Sequence, residues 1–172
     1  MGYMASGKTT FGKALARRIG WEFLDLDEEI ERLAGKSIPF YISEHGEDAF
    51  RVMESLALKR TSSRQRVVVS CGGGTPCWRD NMEFMTLHGQ TLWLVASPER
   101  LAERILQAPG TRPLVDGKNG SELLDFIKAH LRQRQPFYCK ASWRLNAEHL
   151  ENEDEINQTI DDFLKSDIRI IK

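Results

Sequence analysis

The sequence lacks the features of a membrane-spanning, secreted or disulfide-stabilised protein. No apolar run in its 172 residues approaches the ~18 residues that a spanning helix needs. The N-terminal residues show no basic segment followed by an apolar stretch, so we expect no signal peptide. Cysteines number three (Cys71, Cys77 and Cys139), an odd count without the paired spacing of a zinc site. We therefore expect a reduced protein of the cytoplasm.

A strong excess of charge of either sign is also missing. Lys and Arg together number 24 and Asp and Glu 25, which gives a formal net charge of −1. This balance argues against a nucleic-acid-binding protein held by bulk positive charge. We expect neither a nucleic acid nor a membrane as a partner. Hydrophobic residues make up 41% of the chain, and together with the length this predicts a single globular domain over residues 1–172.

Short apolar segments alternate along the chain with helical patterns. Apolar, partly β-branched runs predict strands at residues 21–24, 66–71, 91–96 and 143–146. Apolar residues four positions apart predict helices around 11–19, 123–131 and 156–164, and Ser97-Pro98 is typical of a helix start. This alternation predicts an α/β domain of three layers with a central parallel sheet. Residues 107–120 show little periodicity and are expected to form a lid.

The most specific motif lies at the start of the chain. Residues 2–9 (GYMASGKT) fit G-x-x-x-x-G-K-[ST] at every fixed position. Glycines let backbone N–H groups turn toward phosphate oxygens, and the helix that follows directs its positive end at them. Lys8 is expected to act on the β and γ phosphates and Thr9 to bind Mg²⁺. The alternative is a glycine-rich turn before a helix. The predicted ATP-binding residues here are Gly2, Ala5, Ser6, Gly7, Lys8, Thr9 and Thr10.

Two aspartates follow the first predicted strand. Asp25 and Asp27 would share one side if the strand continued, because side chains alternate along a strand. One carboxylate would then help to hold Mg²⁺, while the other would orient or deprotonate a substrate hydroxyl. The alternative is that Asp27 only favours the first turn of the next helix.

A second group of polar residues shares one predicted helix face. Glu47, Arg51 and Glu54 recur with helical spacing around Phe50. Either they form a surface ladder of ion pairs, or a glutamate braces Arg51 so that its guanidinium binds an anion.

Glycines and arginines supply the remaining candidates. Gly72, Gly73 and Gly74 follow the most hydrophobic strand, where a substrate would approach bare backbone N–H groups; a flexible turn is the alternative. Arg112 lies in the predicted lid, where it either stabilises the transferring phosphoryl group or is an ordinary exposed residue. Arg134 precedes Pro136, which we expect to end a helix; Arg134 either caps that end or binds an anion.

The order of these motifs resembles that of the shikimate kinases, a family of small P-loop kinases related to the nucleoside-monophosphate kinases. The resemblance runs from Gly2 to about Phe163 and rests on the P-loop, D-x-D, G-E-x-x-F-R-x-x-E, G-G-G, R-P-L and R-x-P-x-Y. It implies that ATP phosphorylates the 3-hydroxyl of shikimate in aromatic amino acid biosynthesis, in a monomeric enzyme that uses Mg²⁺. A kinase of another small hydroxy acid such as gluconate, or a nucleotide-binding chain without activity, is the alternative.

The resemblance also implies a role for individual residues. It implies catalytic roles for Lys8, Asp27 and Arg112. In this reaction Asp27 would be either the general base or a positioning group. The resemblance further implies that Thr9 and Asp25 bind the metal ion and that Arg104 packs against the adenine ring. The residues expected to bind shikimate, within an acceptor-binding region at about 27–63 and beyond it, are Asp27, Arg51, Gly72, Gly73, Gly74 and Arg134.

One departure from the family concerns the sheet. The resemblance implies the strand order 2-3-1-4-5, yet only Met1 precedes the P-loop, so the central first strand is expected to be missing. The neighbours of that strand would keep unpaired backbone groups, each costing roughly 1–3 kcal/mol if buried. We therefore expect residues 1–172 to be unstable unless something fills this slot, and the natural protein to begin several residues upstream.

Overall fold

The computed structural model describes residues 1–107, 115 and 117–166. Helices and strands alternate, as the sequence predicts. The helices are α1 (Lys8–Ile19), α2 (Leu26–Ala34), α3 (Ile38–Arg60), α4 (Asn81–His88), α5 (Pro98–Gln107), α6 (Gly120–Tyr138) and α7 (Glu153–Lys165). The strands are β1 (Glu22–Asp25), β2 (Val67–Ser70), β3 (Leu92–Val95) and β4 (Trp143–Asn146). All four predicted strands are confirmed to within two residues at each end.

The helix boundaries have local causes. Helix α1 lies between Gly7 and Gly20, whose φ angles of 86° and 70° are left-handed conformations that favour glycine. Helix α5 begins as predicted at the Ser97-Pro98 pair, where the Ser97 hydroxyl accepts a hydrogen bond from the Arg100 N–H. Gly46, with φ 82° and ψ 166°, interrupts α3 between two helical segments.

The strands form two parallel pairs, which agrees with the predicted α/β fold. Strand β1 pairs with β2, and β3 pairs with β4. These pairs correspond to strands 2-3 and 4-5 of the expected order. Met1 lies beside β3: its nitrogen donates to the Leu92 carbonyl at 2.7 Å, and its carbonyl accepts from the Leu94 N–H at 2.9 Å. Within the described residues no strand joins β2 to β3.

Apolar side chains form two cores rather than one. The first packs α1 against α5, α6 and α7, through residues such as Phe11, Leu101 and Ile127. The second packs α2, α3 and α4 against β1, through residues such as Ile30 and Leu58. A cavity of about 400 Å³ lies between the two strand pairs, walled by β2, β3 and α1. Within the described residues an apolar gap therefore separates β2 from β3.

This gap predicts low stability for residues 1–172. One backbone edge of β2 faces the cavity, and total stability is only about 5–15 kcal/mol, so a few unpaired groups matter. We expect a broad unfolding transition, or a melting temperature below about 45 °C, by circular dichroism. A sharp, cooperative transition well above that temperature would contradict this expectation.

Three predictions about the chain need correction or fall outside the described residues. Strand β1 ends at Asp25 instead of continuing to Asp27, because α2 begins at Leu26. Helix α6 continues through Pro136 to Tyr138, so Pro136 does not end it. Most of the predicted lid at 107–120 lies outside the described residues. Across the part of the chain that the structure describes, no helix has the length and apolar character to cross a membrane.

Candidate functional site: a phosphate-binding loop facing a triple glycine

The P-loop motif forms a closed turn at the start of α1. The Tyr3 carbonyl accepts hydrogen bonds from Lys8 Nζ at 2.8 Å and from the Ser6 N–H at 3.2 Å. Because α1 begins at Lys8, the unpaired N–H groups of its first turn point into this loop. Burial lowers the pKa of Lys8 to about 8, and the carboxylate of Asp27 opposes part of that effect. The loop therefore presents backbone donors and a poised ammonium group to an anion.

Two residues of the loop have tightly restricted geometry. A Cβ on Gly2 would lie 2.8 Å from both the Leu94 carbonyl oxygen and Ser6 Oγ, so only glycine fits there. Ala5 has φ 61°, a left-handed conformation that residues other than glycine rarely adopt. Ser6 Oγ is buried and has no hydrogen-bond partner among the described residues. A buried hydroxyl group without a partner at this position is suited to hydrogen-bond a phosphate oxygen.

Thr9 and Asp25 lie together next to the loop. Thr9 Oγ1 donates a hydrogen bond to Asp25 Oδ2 at 3.0 Å, and the other oxygen of Asp25 accepts from the Asp27 N–H at 3.1 Å. Asp25 is thus the N-cap of α2, which is why the strand stops there. A hydroxyl and a carboxylate oxygen fit Mg²⁺, which takes few protein ligands and completes its shell with phosphates and water. The described residues hold no cluster of three or more His, Cys, Asp or Glu at metal-binding distance.

Asp27 lies in the first turn of α2, and its carboxyl group faces the cleft between the P-loop and the triple glycine. Although the carboxyl is accessible from the cleft, the protein packed around it disfavours the charged form and raises its pKa to about 6. The neighbouring carboxylates of Asp25 and Glu54 raise that pKa further, and Lys8 opposes them. A carboxylate whose pKa lies just below neutrality is suited to accept a proton from a hydroxyl group.

The triple glycine is the point where the candidate substrate residues meet. A Cβ on Gly72 would lie 3.4 Å from Asp27 Oδ1. A Cβ on Gly73 would lie 2.9 Å from Arg134 Nη1, and one on Gly74 would lie 2.9 Å from both Nη atoms of Arg51. A side chain at Gly73 or Gly74 would therefore displace a guanidinium group, and one at Gly72 would press on Glu54 Oε1 at 3.1 Å. Close approach, rather than a flexible turn, explains these glycines.

Arg51 is held by carboxylates on both sides. Glu54 Oε2 accepts from Arg51 Nη1 at 2.8 Å, and Glu47 Oε1 accepts from Nη2 at 3.0 Å. Glu54 is only 1% exposed, and its other oxygen accepts from the Thr75 hydroxyl at 2.6 Å. The surface-ladder interpretation therefore fails at Glu54, which is a buried brace that fixes the Arg51 guanidinium.

Arg134 is placed by a different set of contacts. Its guanidinium carbon lies 5.2 Å from the centre of the Tyr3 ring. One turn further along α6, the Tyr138 hydroxyl donates to the Gly73 carbonyl at 2.6 Å. Since α6 ends at Tyr138, Arg134 does not cap the helix end. Its Nη1 faces Gly73, the neighbour of the Gly74 that Arg51 faces.

The remaining candidates lie further out. Arg104 donates to Glu151 Oε1 through Nε at 2.9 Å and Nη2 at 2.5 Å, and its Nη1 is 3.4 Å from the Ala5 carbonyl oxygen. This places Arg104 beside the P-loop. Thr10 is exposed in the first turn of α1. Arg112 lies outside the described residues, so its expected role stays a prediction.

Sequence reasoning missed Tyr3 and Tyr138 as members of this site. His130, which the sequence analysis did not single out, packs its ring against Tyr3 and Phe126. One signal was available: His130, Arg134 and Tyr138 are four residues apart and therefore share one face of α6.

The fold and the site together define a P-loop kinase of a small anionic acceptor. Comparisons with known proteins narrow this class. The family model described as shikimate kinase matches residues 4–165. The curated shikimate kinase of Parabacteroides distasonis is 42% identical over 165 residues, covering 96% of this chain and 95% of the relative. That of Phocaeicola vulgatus is 43% identical over 165 residues, covering 96% and 94%.

Solved structures agree with the sequence comparisons. The crystal structure of shikimate kinase from Bacteroides thetaiotaomicron has a TM-score of 0.90 and 41% identity, covering 95% of this chain and 93% of that one. The Acinetobacter baumannii enzyme in complex with shikimate has a TM-score of 0.80 and 31% identity, covering 95% and 87%. The chain belongs to the shikimate kinase family. It catalyses the ATP-dependent phosphorylation of shikimate in aromatic amino acid biosynthesis.

Proposed function

We propose that the two ends of shikimate bind on opposite sides of the triple glycine, with the carboxylate between Arg51 and Arg134 and the reacting 3-hydroxyl at Asp27. The observation that carries this proposal is the convergence of all three side chains on Gly72–Gly74. Two guanidinium groups suit a carboxylate, because their planar N–H pairs match its two oxygens. A similar chain from Acinetobacter baumannii has been solved with shikimate, which supports an acceptor site of this chemistry.

Asp27 is the proposed general base. It takes the proton of the 3-hydroxyl as that oxygen attacks the γ-phosphorus of ATP, and the bond from phosphorus to the β,γ-bridging oxygen breaks to release ADP. Lys8 stabilises the charge on the transferring phosphoryl group. The backbone N–H groups at the start of α1 hold the remaining phosphate oxygens. The raised pKa of Asp27 and its place beside Gly72 support this assignment.

Thr9 and Asp25 are the proposed Mg²⁺ site. Bound there, Mg²⁺ would neutralise phosphate charge during transfer. The hydroxyl and carboxylate oxygens lie 3.0 Å apart, so both can face one ion, directly or through water. Arg104, held against the loop by Glu151, is the proposed contact for the adenine. Arg112 in the lid is proposed to reach the phosphates.

The cellular compartment, the oligomeric state and the regions of the domain are also part of this proposal. Cys71, Cys77 and Cys139 are free thiols, which fits a reducing compartment such as the cytoplasm. We propose that residues 1–172 act as one monomeric domain, in which α2 and α3 form the acceptor-binding region at about 27–63 and residues around 107–120 form the lid.

Replacement of Arg134 by Gln tests the acceptor site. The loss of a charge-assisted hydrogen bond of about 1.5–3 kcal/mol should raise the KM for shikimate about 10- to 150-fold. The KM for ATP should change less than threefold, since Arg134 faces the triple glycine. Steady-state kinetics with each substrate varied in turn measures both constants. Arg134 is preferable to Arg51 for this test, because removing Arg51 would leave the buried Glu54 without its cation.

The matched control is Arg132→Gln. Arg132 is exposed on the same helix, so its loss changes the net charge equally without touching the site. Equal KM values for shikimate in the two variants would contradict the proposed carboxylate site.

A further inference from the structure

The second residue of the P-loop, Tyr3, has a contact that the phosphate-binding motif does not explain. The motif requires nothing of this position, yet Tyr3 is only 1% exposed. Its backbone serves the nucleotide side, since its carbonyl accepts from Lys8 Nζ at 2.8 Å. Its ring points the other way, toward the face of α6 that carries His130 and Arg134. The backbone of Tyr3 thus faces the nucleotide side of the site, whereas its ring faces the acceptor side.

The Tyr3 ring lies within cation–π distance of the Arg134 guanidinium group. The guanidinium carbon is 5.2 Å from the ring centre, within the ≈ 6 Å reach of such contacts. The His130 ring meets the same tyrosine edge-on, with centres 6.3 Å apart and planes at 69°. The Tyr3 hydroxyl is 3.4 Å from His130 Nδ1. His130 lies one turn before Arg134 on α6. The Tyr3 ring is therefore held by His130 as well as by Arg134.

Arg134 has less other support than Arg51. Arg51 is braced by Glu47 and Glu54, whereas no salt bridge to Arg134 is formed by the described side chains. Its other close neighbours are the Tyr138 hydroxyl, which lies within hydrogen-bonding reach, and Gly73, where a Cβ would lie 2.9 Å from Nη1. An aromatic face can hold a guanidinium group without occupying its N–H donors, which a carboxylate partner would do. Such support leaves most of the five N–H donors of Arg134 free for a ligand.

We propose that Tyr3 is a positioning residue for the acceptor site: its ring orients Arg134 toward the shikimate carboxylate. This inference rests on the proposed role of Arg134. It also explains why a bulky aromatic residue occupies a loop whose other positions are small or flexible. The side chain of Tyr3 acts on shikimate only, because its contact with the nucleotide side is made by the backbone.

Substitution of Tyr3 by Leu and by Phe separates positioning from general packing. Tyr3→Leu removes the aromatic face and should raise the KM for shikimate about 2- to 30-fold, the range expected for a cation–π contact. The KM for ATP and kcat should stay within twofold. Tyr3→Phe keeps the face and loses only the hydroxyl, so it should restore the KM for shikimate to within twofold. Phe84→Leu is the matched control, because Phe84 stacks on His88 at 4.1 Å on α4 and touches neither arginine.

A measurement on the unaltered protein keeps the proposal testable if Tyr3→Leu does not fold. The Cδ protons of Arg134 should show an upfield ring-current shift in the NMR spectrum, assigned by its loss in Arg134→Lys. The exposed Arg132 on the same helix should show none. Random-coil shifts for Arg134, or equal KM values for shikimate in Tyr3→Leu and Tyr3→Phe, would overturn the proposal. If Arg134→Gln itself leaves the KM for shikimate unchanged, the carboxylate site fails first, and the two failures are thereby distinguished.

Discussion

Replacement of Asp27 by Asn is expected to lower kcat about 10²- to 10⁴-fold, the usual contribution of a general base. The amide keeps the size and the hydrogen-bonding reach of the carboxylate but cannot accept the proton. The KM for shikimate should therefore change only a few-fold. Steady-state kinetics under saturating ATP measures both constants. A kcat within a few-fold of the original would leave Asp27 as a positioning group only.

The pH dependence gives a second readout of the same prediction. Asp27 has a pKa of about 6 and must be deprotonated to act. The value of kcat/KM for shikimate should therefore fall about tenfold per pH unit below pH 6 and level off above it. This acid limb should be absent from Asp27→Asn. Glu28→Gln is the control, because Glu28 is the exposed next residue of α2 and should keep the limb.

Replacement of Lys8 by Met is expected to lower kcat about 10²- to 10³-fold, as for removal of one preorganised donor to transition-state charge. The aliphatic chain of Met retains much of the lysine's length, so the loop should keep its packing. Single-turnover measurements with saturating ATP separate this loss from weaker binding. Lys13→Met is the control, since Lys13 is exposed on the same helix. A similar kcat for both variants would exclude a catalytic role for Lys8.

The charge of Lys8 also predicts an alkaline limb. Burial lowers the pKa of Lys8 to about 8 in the free enzyme. Its ammonium charge is present below that pH and is lost as the pH rises through it, so kcat/KM for ATP should fall above pH 8. Lys8→Met should lack this limb, whereas Lys13→Met should show it.

Local sequence signals predicted most of the framework of this fold. The P-loop motif placed Lys8 and Thr9 correctly at the start of α1, because glycine conformation and helix N-terminal geometry are local properties. The four strands also appeared as predicted, because each is a short run of apolar and β-branched residues.

Local signals failed where distant contacts decide the outcome. Pro136 was expected to end α6, yet the helix continues to Tyr138, whose buried ring and hydrogen bond to Gly73 bridge 65 positions of sequence. That burial outweighs the helix-breaking tendency of proline. The sequence left open whether the strand continues past Asp25 or a helix begins there, and the helix forms because the Asp25 carboxylate caps α2. In both places a side chain satisfies a backbone group, which the pattern alone could not assign.

The partners of the two arginines show the same limit. The spacing of Glu47, Arg51 and Glu54 predicted a shared helix face but not that Glu54 is buried. The contact of Tyr3 with His130 spans 127 positions of sequence, so no periodicity connects them. Sequence reasoning thus identified the charged groups of the site, while the structure was needed to identify what orients them.

The most direct test of this account is the rate of ADP formation by residues 1–172 with Mg²⁺ and ATP, measured with and without shikimate. We expect a rate that depends on shikimate, with one phosphate transferred to the 3-hydroxyl for each ADP released. An equal rate of ATP hydrolysis in both samples would contradict it. Absence of turnover in a chain that melts in a sharp, cooperative transition would contradict it as well, since low stability could not then explain the loss.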